Sequence, residues 1–484
     1  MNDFKEIPKQ LAFKWMSIPF GILCVLVSGA SYNLFAYFQQ IGRAHGYGSE
    51  TLTTIKYTVL FGYYLGLLPG VIVKVLSPML AYIIAAVMAL ISFPILGYIA
   101  ENGEGGATEW IVMMIFLFVG SMAGSVALMA SIVTAVKNFP KIVGMLIVVI
   151  MIAYFKISPY FEFSMRSAFF SDASLLYYFI GVGVVMAVVF IAAAFIVKKV
   201  EMKEMIAAAL QDFDKLGILI FVFVEAFLLI GFWIAALRLE HWTIGAIMML
   251  AFAFINFLAL GVAVGMIIKK VDGGKGIKMG MLKLQKPNEK TFGEMLKEPK
   301  YHALVVATFI VIGTTSTMNF NVFQICGATG AGDQADVLLD IYWIADMLAR
   351  FGGGLVAYFF VDRINGYLFA VLSAFVGAIG FGVALLTEPL GSTFMWAAII
   401  LVGISGGMFW VIVPQILMDD AGPVNFGLNW GLTLFVSVLG MLFYGELFDF
   451  IYDLQGEGGK CKGTICILIQ FIFFGVALIL ATVL

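Results

Sequence analysis

Two oppositely charged residues, Asp346 and Arg350, lie inside a long apolar segment that extends from about 335 to 361. Because they are four residues apart, they fall on one face of a helix, where a carboxylate and a guanidinium can pair. A charge at the centre of a bilayer costs at least about 2.5 kcal/mol, so it normally faces a partner or a wet cavity. An arriving carboxylate could take Arg350 while Asp346 binds a proton. The alternative is a structural ion pair that latches one conformation.

Two lysines, Lys56 and Lys156, also fall inside apolar segments, near the outer ends of their helices. They could attract an anion, or their ammonium groups could reach the membrane surface along the flexible side chain. Asp340, which precedes Asp346 on the same segment, is a candidate partner for either lysine. The sequence leaves these alternatives open.

Uncharged polar residues occur on two further apolar segments. Amide and hydroxyl groups that face lipid are costly, so we expect these residues to line a cavity or to form hydrogen bonds between helices. The candidates for substrate binding on the first and ninth segments are Tyr32, Asn33, Tyr37, Asn319 and Asn321.

The composition excludes a soluble enzyme. Of 484 residues, 62% are hydrophobic and 12% are charged, whereas soluble proteins contain about 25% charged residues. The net charge of -2 provides no basic field for nucleic acid. No histidine or cysteine has the spacing of metal ligands, and no nucleotide-binding loop is present. We therefore predict a multi-pass membrane protein without catalytic residues, cofactor or metal, whose partners are the lipid bilayer and a small-molecule substrate. The oligomeric state stays open.

Apolar segments of about 20 residues predict fourteen spanning helices. We divide the chain into a cytosolic N-terminus (1–14), a six-helix bundle (15–197), an inserted helix pair (198–268), a cytosolic linker (269–300) and a second six-helix bundle (301–484). The predicted spans are 15–40, 52–75, 78–100, 110–136, 142–161, 173–197, 216–237, 242–268, 301–325, 335–361, 366–387, 393–418, 424–448 and 464–484.

The distribution of basic residues orients the chain. Most lysines and arginines between the spans fall on the side of the N-terminus, and basic residues are concentrated on the cytosolic side of membrane proteins. We therefore expect both termini in the cytosol, with the protein in the plasma membrane or an organelle membrane. The basic residues left on the outer side are Arg43, Arg166, Arg238, Lys460 and Lys462.

The second bundle contains Arg350 to Gly354, followed by Asp362-Arg363-Ile364-Asn365-Gly366. This sequence resembles the acidic, basic and glycine residues of the gating loop in the major facilitator superfamily. The resemblance implies an all-α membrane fold of two six-helix bundles that rock about a site at the midplane. It assigns Gly354, Asp362, Arg363 and Gly366 to the gating loop.

The chain also resembles the nodulin-like branch of that superfamily over most of its length, including the two helices inserted between the bundles. The fifth span departs from the pattern, since Val143, Val148 and Ile152 replace residues typical of the family. The matching stretches are 131–140, 350–354, 425–427, 451–453 and 461–466.

A shorter resemblance concerns Ala345 to Arg350, which is similar to the Asp-x-x-x-Arg helix of the monocarboxylate transporters. It implies that Arg350 holds the carboxylate of the substrate and that Asp346 takes part in proton coupling. Those transporters also place a lysine in the first span, where this chain has Tyr32 or Asn33.

Cys461 and Cys466 share a loop on the predicted outer side. They could form a disulfide if that side is oxidising. We therefore predict a possible disulfide between them.

We predict a secondary transporter, not an enzyme, that moves a small organic anion of the monocarboxylate type with protons. Two alternatives stay open. One is a carrier of a neutral or zwitterionic metabolite, such as an amino acid or a sugar. The other is a non-transporting receptor or assembly factor on the same fold.

Overall fold

The computed structural model describes residues 2–44, 49–103, 106–139, 145, 147–156, 158, 166, 174–200, 289–360, 365–456 and 461–483. These residues contain helices and connecting loops, without a strand among them. The chain forms two compact units, Met1–Asn288 and Glu289–Leu484. The two predicted inserted helices at 216–237 and 242–268, together with the larger part of the predicted linker, lie outside the described residues.

The first unit contains helices α1 to α7 in its described residues. Their bounds are α1 Asn2–Ala44, α2 Ser49–Tyr64, α3 Leu67–Val75, α4 Pro78–Asn102, α5 Ala107–Asn138, α6 Ile147–Lys156 and α7 Leu175–Ile196. Helix α1 begins at Asn2, so residues 2–14 of the predicted cytosolic N-terminus are helical and continuous with the first predicted span. Lys14 and Trp15 are only 2% and 1% exposed, which shows that packing begins before the predicted boundary.

The second predicted span, 52–75, corresponds to the apolar segment Thr51–Val75, which is made of two helices. Helix α2 ends at Tyr64 and α3 begins at Leu67. Pro69 lies in the first turn of α3, where its ring nitrogen has no hydrogen to donate to the preceding turn. The proline therefore accounts for the interruption at Leu65 and Gly66.

Small residues bring the helices of the first unit close together. Helix α5 packs on α1, and α4 packs on both α5 and α7. The Ser31 hydroxyl of α1 donates a hydrogen bond to the carbonyl of Gly120 on α5, at 2.7 Å. A methyl group on Gly124 would lie 2.9 Å from the carbonyl oxygen of Ser28. Such close approach of small residues is how helices pack within membranes, because lipid removes the hydrophobic drive between them.

The second unit contains helices α8 to α15. Their bounds are α8 Phe292–Met295, α9 Pro299–Phe320, α10 Val322–Ala328, α11 Ala335–Phe360, α12 Gly366–Ala384, α13 Thr387–Leu390, α14 Thr393–Gln455 and α15 Ile465–Val483. A short 3-10 helix, Gly332–Gln334, precedes α11. Helix α14 forms most of the helix contacts in this unit, since α9, α11 and α12 all pack against it.

Helix α14 covers the two predicted spans 393–418 and 424–448. Its 63 residues are interrupted at Gly422, which has φ 72° and ψ 175°. A positive φ of this kind favours glycine, and the following Pro423 cannot donate a hydrogen bond to the preceding turn. The chain therefore bends between Asp420 and Val424, close to the predicted boundary.

The end of the predicted linker, 289–300, packs on this bend. The main-chain N–H of Lys290 donates to the carbonyl of Ala421 at 3.2 Å, and the side-chain amide of Asn425 donates to the carbonyl of Lys290 at 2.9 Å. The Lys290 ammonium pairs with Glu298 and holds the pKa of that carboxyl group below its ordinary value. This part of the linker is therefore built into the second unit.

A disulfide joins Cys461 to Cys466 at the start of α15, with an S–S distance of 2.00 Å. The loop that it closes contacts two other helix ends. The N–H of Gly463 donates to the carbonyl of Ala328 at 2.8 Å, and the N–H of Thr464 donates to the Glu388 carboxylate. The loop thus connects the ends of α10, α13 and α15.

Within the described part of the chain, nine helical segments are long and apolar enough to cross a membrane, by length and composition; one of them, Thr51–Val75, contains both α2 and α3. Helix α11, whose sequence contains Asp336, Asp340, Asp346 and Arg350, is not among them. The nine segments are Phe13–Leu34, Thr51–Val75, Pro78–Asn102, Ala107–Asn138, Leu175–Ile196, Pro299–Phe320, Gly366–Ala384, Thr393–Gln455 and Ile465–Val483.

Two glycines one turn apart on α14, Gly403 and Gly407, allow α11 and α14 to touch through their main chains. A methyl group on Gly403 would lie 2.8 Å from the carbonyl oxygen of Tyr342. One on Gly407 would overlap with the carbonyl oxygen of Asp346. Because the obstacle in both cases is backbone, it cannot turn aside as a flexible side chain would. The two glycines therefore set how closely α14 approaches the charged turn of α11.

We expect Gly407→Ala to lower the free energy of unfolding by about 1–3 kcal/mol, since the added methyl group forces the two helices apart. The matched control is Gly382→Ala on α12, where a methyl group would meet nothing within 4 Å. The control should be neutral or stabilising by up to about 1 kcal/mol, because alanine is the better helix former. Thermal unfolding of both variants in detergent measures the difference, and equal melting temperatures would contradict the close contact.

Candidate functional site

Asp346 and Arg350 form a buried ion pair on successive turns of α11. The Arg350 Nε donates to Asp346 Oδ1 at 2.5 Å, and its Nη2 donates to Asp346 Oδ2 at 3.2 Å. Arg350 is 1% exposed and Asp346 is 2% exposed. Two parallel hydrogen bonds of this kind are the strong, directional form of a carboxylate and guanidinium contact. The spacing of four residues thus produces the predicted pair.

Trp410 of α14 completes the surroundings of the guanidinium. Its ring centre lies 5.6 Å from the Arg350 guanidinium carbon, within the range of a cation–π interaction. Gly407 lies one turn earlier on α14 and keeps that helix against Asp346. Trp410 is not among the predicted site residues. Gly403, Gly406 and Gly407, which precede it within two turns of α14, indicate close helix packing but do not identify α11 as the partner.

The ninth predicted span contributes polar contacts beside the pair. The indole N–H of Trp343 donates to the side-chain oxygen of Asn319 at 2.6 Å. The hydroxyl of Tyr342 donates to the carbonyl of Thr315 at 2.9 Å. Both donors come from α11 and both acceptors from α9. These two hydrogen bonds fix the register of α11 on α9, one turn before Asp346.

Asn321 lies where the ninth span breaks. Helix α9 ends at Phe320 and α10 begins at Val322, and Asn321 between them has φ -113° and ψ 18°. Its side chain is 5% exposed, and in the described part of the chain its amide nitrogen has no hydrogen-bond partner. A buried donor without an acceptor is costly unless something else binds it. Asn321 therefore offers a hydrogen-bond donor at an interrupted helix, a common setting for substrate sites in transporters.

The predicted binding residues of the first unit lie on three helices, with Tyr32, Asn33 and Tyr37 on α1, Lys56 on α2 and Lys156 at the end of α6. Asn33 is 3% exposed and Lys56 is 8% exposed, so both are packed inside the unit. The Lys56 ammonium lies 5.3 Å from the ring centre of Tyr57.

Tyr37 belongs to a separate contact. Its hydroxyl lies 3.1 Å from the hydroxyl of Tyr178 on α7, and the two share a hydrogen bond. The guanidinium of Arg166 lies over both rings, 5.2 Å from that of Tyr37 and 5.5 Å from that of Tyr178. Tyr37 therefore connects α1 to α7 through this hydrogen bond.

The predicted gating loop is described only in part. Gly354 lies inside α11, and Gly366 is the first residue of α12, which the Asn365 side chain caps by accepting a hydrogen bond from Tyr367. Asp362 and Arg363 lie outside the described residues. Among the residues that are described, no group of three histidine, cysteine, aspartate or glutamate side chains could hold a metal ion.

A family model described as Nodulin-like matches residues 14–266, which is more than half of the 484-residue chain. The chain belongs to the Nodulin-like family. The match ends before the second unit of this Nodulin-like chain, so it includes neither the Asp346–Arg350 pair nor the motifs predicted at 425–427, 451–453 and 461–466. The similarity of α11 to monocarboxylate transporters stays a prediction. No curated protein has a matching sequence.

Solved structures show the fold of the Nodulin-like chain. The proton:xylose symporter XylE, bound to 6-bromo-6-deoxy-D-glucose, has a TM-score of 0.61 at 15% identity, over 98% of this chain and 95% of XylE. The transporter FucP in its outward conformation has a TM-score of 0.52 at 14% identity, over 97% of each chain. The nucleoside transporter NupG has a TM-score of 0.50 at 12% identity, over 98% of this chain and 99% of NupG. XylE and FucP are major facilitator superfamily proteins. The predicted major facilitator fold is confirmed, and the Nodulin-like chain is a multi-pass membrane protein.

Removing one member of the ion pair should cost more than removing both. We expect Asp346→Asn and Arg350→Gln each to lower the free energy of unfolding by about 3–5 kcal/mol, because each leaves a buried charge without its counter-charge. The double variant should be less destabilised than the sum of the single variants by at least about 1 kcal/mol. Unfolding of the four proteins in one detergent measures the coupling, and strictly additive effects would show that the two charges do not stabilise each other.

Proposed function

We propose that this Nodulin-like chain is a secondary transporter that moves a small organic anion of the monocarboxylate type together with protons. The observation that carries the proposal is the ion pair of Asp346 and Arg350, which is almost fully buried on α11. A guanidinium with two donors facing one carboxylate is chemically suited to exchange that carboxylate for another.

The coupling follows from the charges. In the empty state Asp346 and Arg350 neutralise each other. When a substrate carboxylate takes the guanidinium, Asp346 is left as a buried anion without its counter-charge, which favours the protonated form. The loaded site then contains one anion and one proton more than the empty site. An inward proton gradient would therefore drive the anion inward by alternating access of the two bundles, 15–197 and 301–484.

We extend the proposal to the orientation and to the other predicted contacts. Both termini would lie in the cytosol, because the predicted loops on that side contain most of the basic residues. Asn319 and Asn321 would bind polar groups of the substrate beside the pair, and Lys56 and Lys156 would attract the anion into the first bundle. Asp362 and Arg363 would act in the gating loop.

A second candidate is a carrier of a neutral metabolite such as a sugar, with the ion pair as a latch. Two observations favour it. XylE, which has the same fold, is a proton:xylose symporter, and FucP has been described as the fucose:proton symporter of E. coli. The amide nitrogen of Asn321, which has no partner among the residues that the structure describes, is also a donor suited to a sugar hydroxyl. A non-transporting receptor on this fold is the third reading.

Uptake into proteoliposomes separates these functions. With an inward proton gradient, we expect the unmodified protein to accumulate L-lactate or pyruvate, and Arg350→Gln to reduce that uptake at least about tenfold through loss of a charge-assisted contact. Asp346→Asn should remove the dependence on the proton gradient. The matched control is Asp336→Asn, an exposed carboxylate on the same helix, which should leave uptake unchanged.

Three results would contradict the proposal that the protein transports an organic anion. Accumulation of D-xylose or D-glucose that survives Arg350→Gln would support the sugar carrier. Carboxylate uptake that Arg350→Gln leaves unchanged would reduce the ion pair to a latch. Uptake of no solute across a broad metabolite panel would favour the non-transporting receptor.

A further inference from the structure

The hydroxyl of Tyr63 on α2 is buried and has no hydrogen-bond partner among the described residues. The residue is 1% exposed, and in the described part of the chain its hydroxyl oxygen has no hydrogen-bond partner. A buried donor of this kind costs folding free energy, because in the unfolded chain it binds water. Such a group is uncommon in folded proteins, and one explanation is a ligand that supplies the missing acceptor.

Three rings hold the Tyr63 ring in place. Its ring stacks on that of Phe155 from α6, with centres 5.4 Å apart and planes 20° apart. The ring of Tyr32 from α1 meets it edge-on at 5.7 Å, and the ring of Tyr64 meets it edge-on at 5.4 Å. Tyr32 and Phe155 are also in contact, at 5.4 Å. We call these four residues the aromatic cluster, which fixes the direction of the Tyr63 hydroxyl.

Two other buried tyrosines of the first unit, Tyr82 and Tyr37, use their hydroxyl groups for hydrogen bonds between helices. The hydroxyl of Tyr82 lies 2.8 Å from that of Ser131, and the hydroxyl of Tyr37 lies 3.1 Å from that of Tyr178. Each therefore connects two helices through its oxygen. Tyr63 is equally buried, but its oxygen makes no such connection in the described residues. The ring of Tyr63 accounts for its packing, whereas its hydroxyl forms no hydrogen bond with any described residue.

Two residues near Tyr63, Tyr32 and Lys56, are among the predicted substrate-binding residues. Its ring touches Tyr32, which the sequence analysis selected for substrate binding. Lys56 lies seven residues earlier on α2, two turns along the same face of the helix, and is 8% exposed. A hydroxyl donor and a buried ammonium on one helix face are both complementary to an oxygen that carries negative charge.

We propose that the Tyr63 hydroxyl donates a hydrogen bond to an acceptor oxygen of the transported solute, and that the aromatic cluster contacts the carbon skeleton beside that oxygen. The proposal rests on the transport function proposed above and adds a specificity-determining residue to the first unit. The acceptor is a carboxylate oxygen in an organic anion, or a hydroxyl or ring oxygen in a sugar.

The variant Tyr63→Phe removes one oxygen atom and keeps the ring. In full-length protein in detergent without solute, we expect its melting temperature to equal or exceed that of the unmodified protein, because the hydroxyl has no hydrogen-bond partner in the described part of the chain. The dissociation constants of L-lactate, pyruvate, D-xylose and D-glucose are then measured by ligand-induced shifts of the melting temperature. For each probe that binds the unmodified protein, Tyr63→Phe should raise the constant about threefold to tenfold.

The matched control is Tyr82→Phe, whose hydroxyl is paired with Ser131. It should lower the melting temperature and leave the dissociation constants unchanged. Three results overturn the proposal: a lower melting temperature of Tyr63→Phe without solute, unchanged constants in that variant, or failure of all four probes to bind the unmodified protein.

The same measurements separate this inference from the anion proposal. If Tyr63→Phe weakens lactate binding and Arg350→Gln does not, the role of the ion pair fails and that of Tyr63 stands. If only the two sugars bind, and Tyr63→Phe weakens their binding, the proposed anionic substrate is wrong, while the proposed hydrogen bond from Tyr63 to the solute stands. If Arg350→Gln weakens binding and Tyr63→Phe does not, the anion proposal stands and the inference fails.

Discussion

A charge inside an apolar helix must be neutralised, and this constraint determines how the second unit is built. Asp346 and Arg350 meet it by pairing on successive turns of α11, where both are almost fully buried. The pair holds only while nothing competes for the guanidinium. In the proposed function a substrate carboxylate competes with Asp346 for that guanidinium, and the proposed coupling of anion and proton follows from this competition.

The helices around the pair are arranged to keep it in one geometry. Gly403 and Gly407 let α14 touch the backbone of α11, and Trp410 then covers the guanidinium. On the other side, hydrogen bonds from Tyr342 and Trp343 fix α11 on α9. Since hydrogen bonds and close packing replace the hydrophobic drive between helices in lipid, a rigid frame of this kind is what a buried charged site requires.

Local features of this arrangement can be predicted from the sequence, whereas contacts between residues far apart in the chain cannot. The spacing of Asp346 and Arg350 predicts their contact because a helix is local geometry, and Gly422-Pro423 marks the bend of α14 for the same reason. The break at Leu65 inside the predicted span 52–75 also follows from a local rule, because Pro69 lies in the first turn of α3. The position of Trp410 over Arg350 joins residues far apart in the chain, so it depends on packing that no local pattern encodes.

The central claim is that binding of a carboxylate at Arg350 makes Asp346 take up a proton. It is tested most directly by titrating the purified protein with L-lactate in weakly buffered detergent solution and measuring the change in pH. The account predicts uptake of about one proton for each lactate bound by the unmodified protein, and none by Asp346→Asn. Lactate binding without proton uptake by the unmodified protein would contradict it.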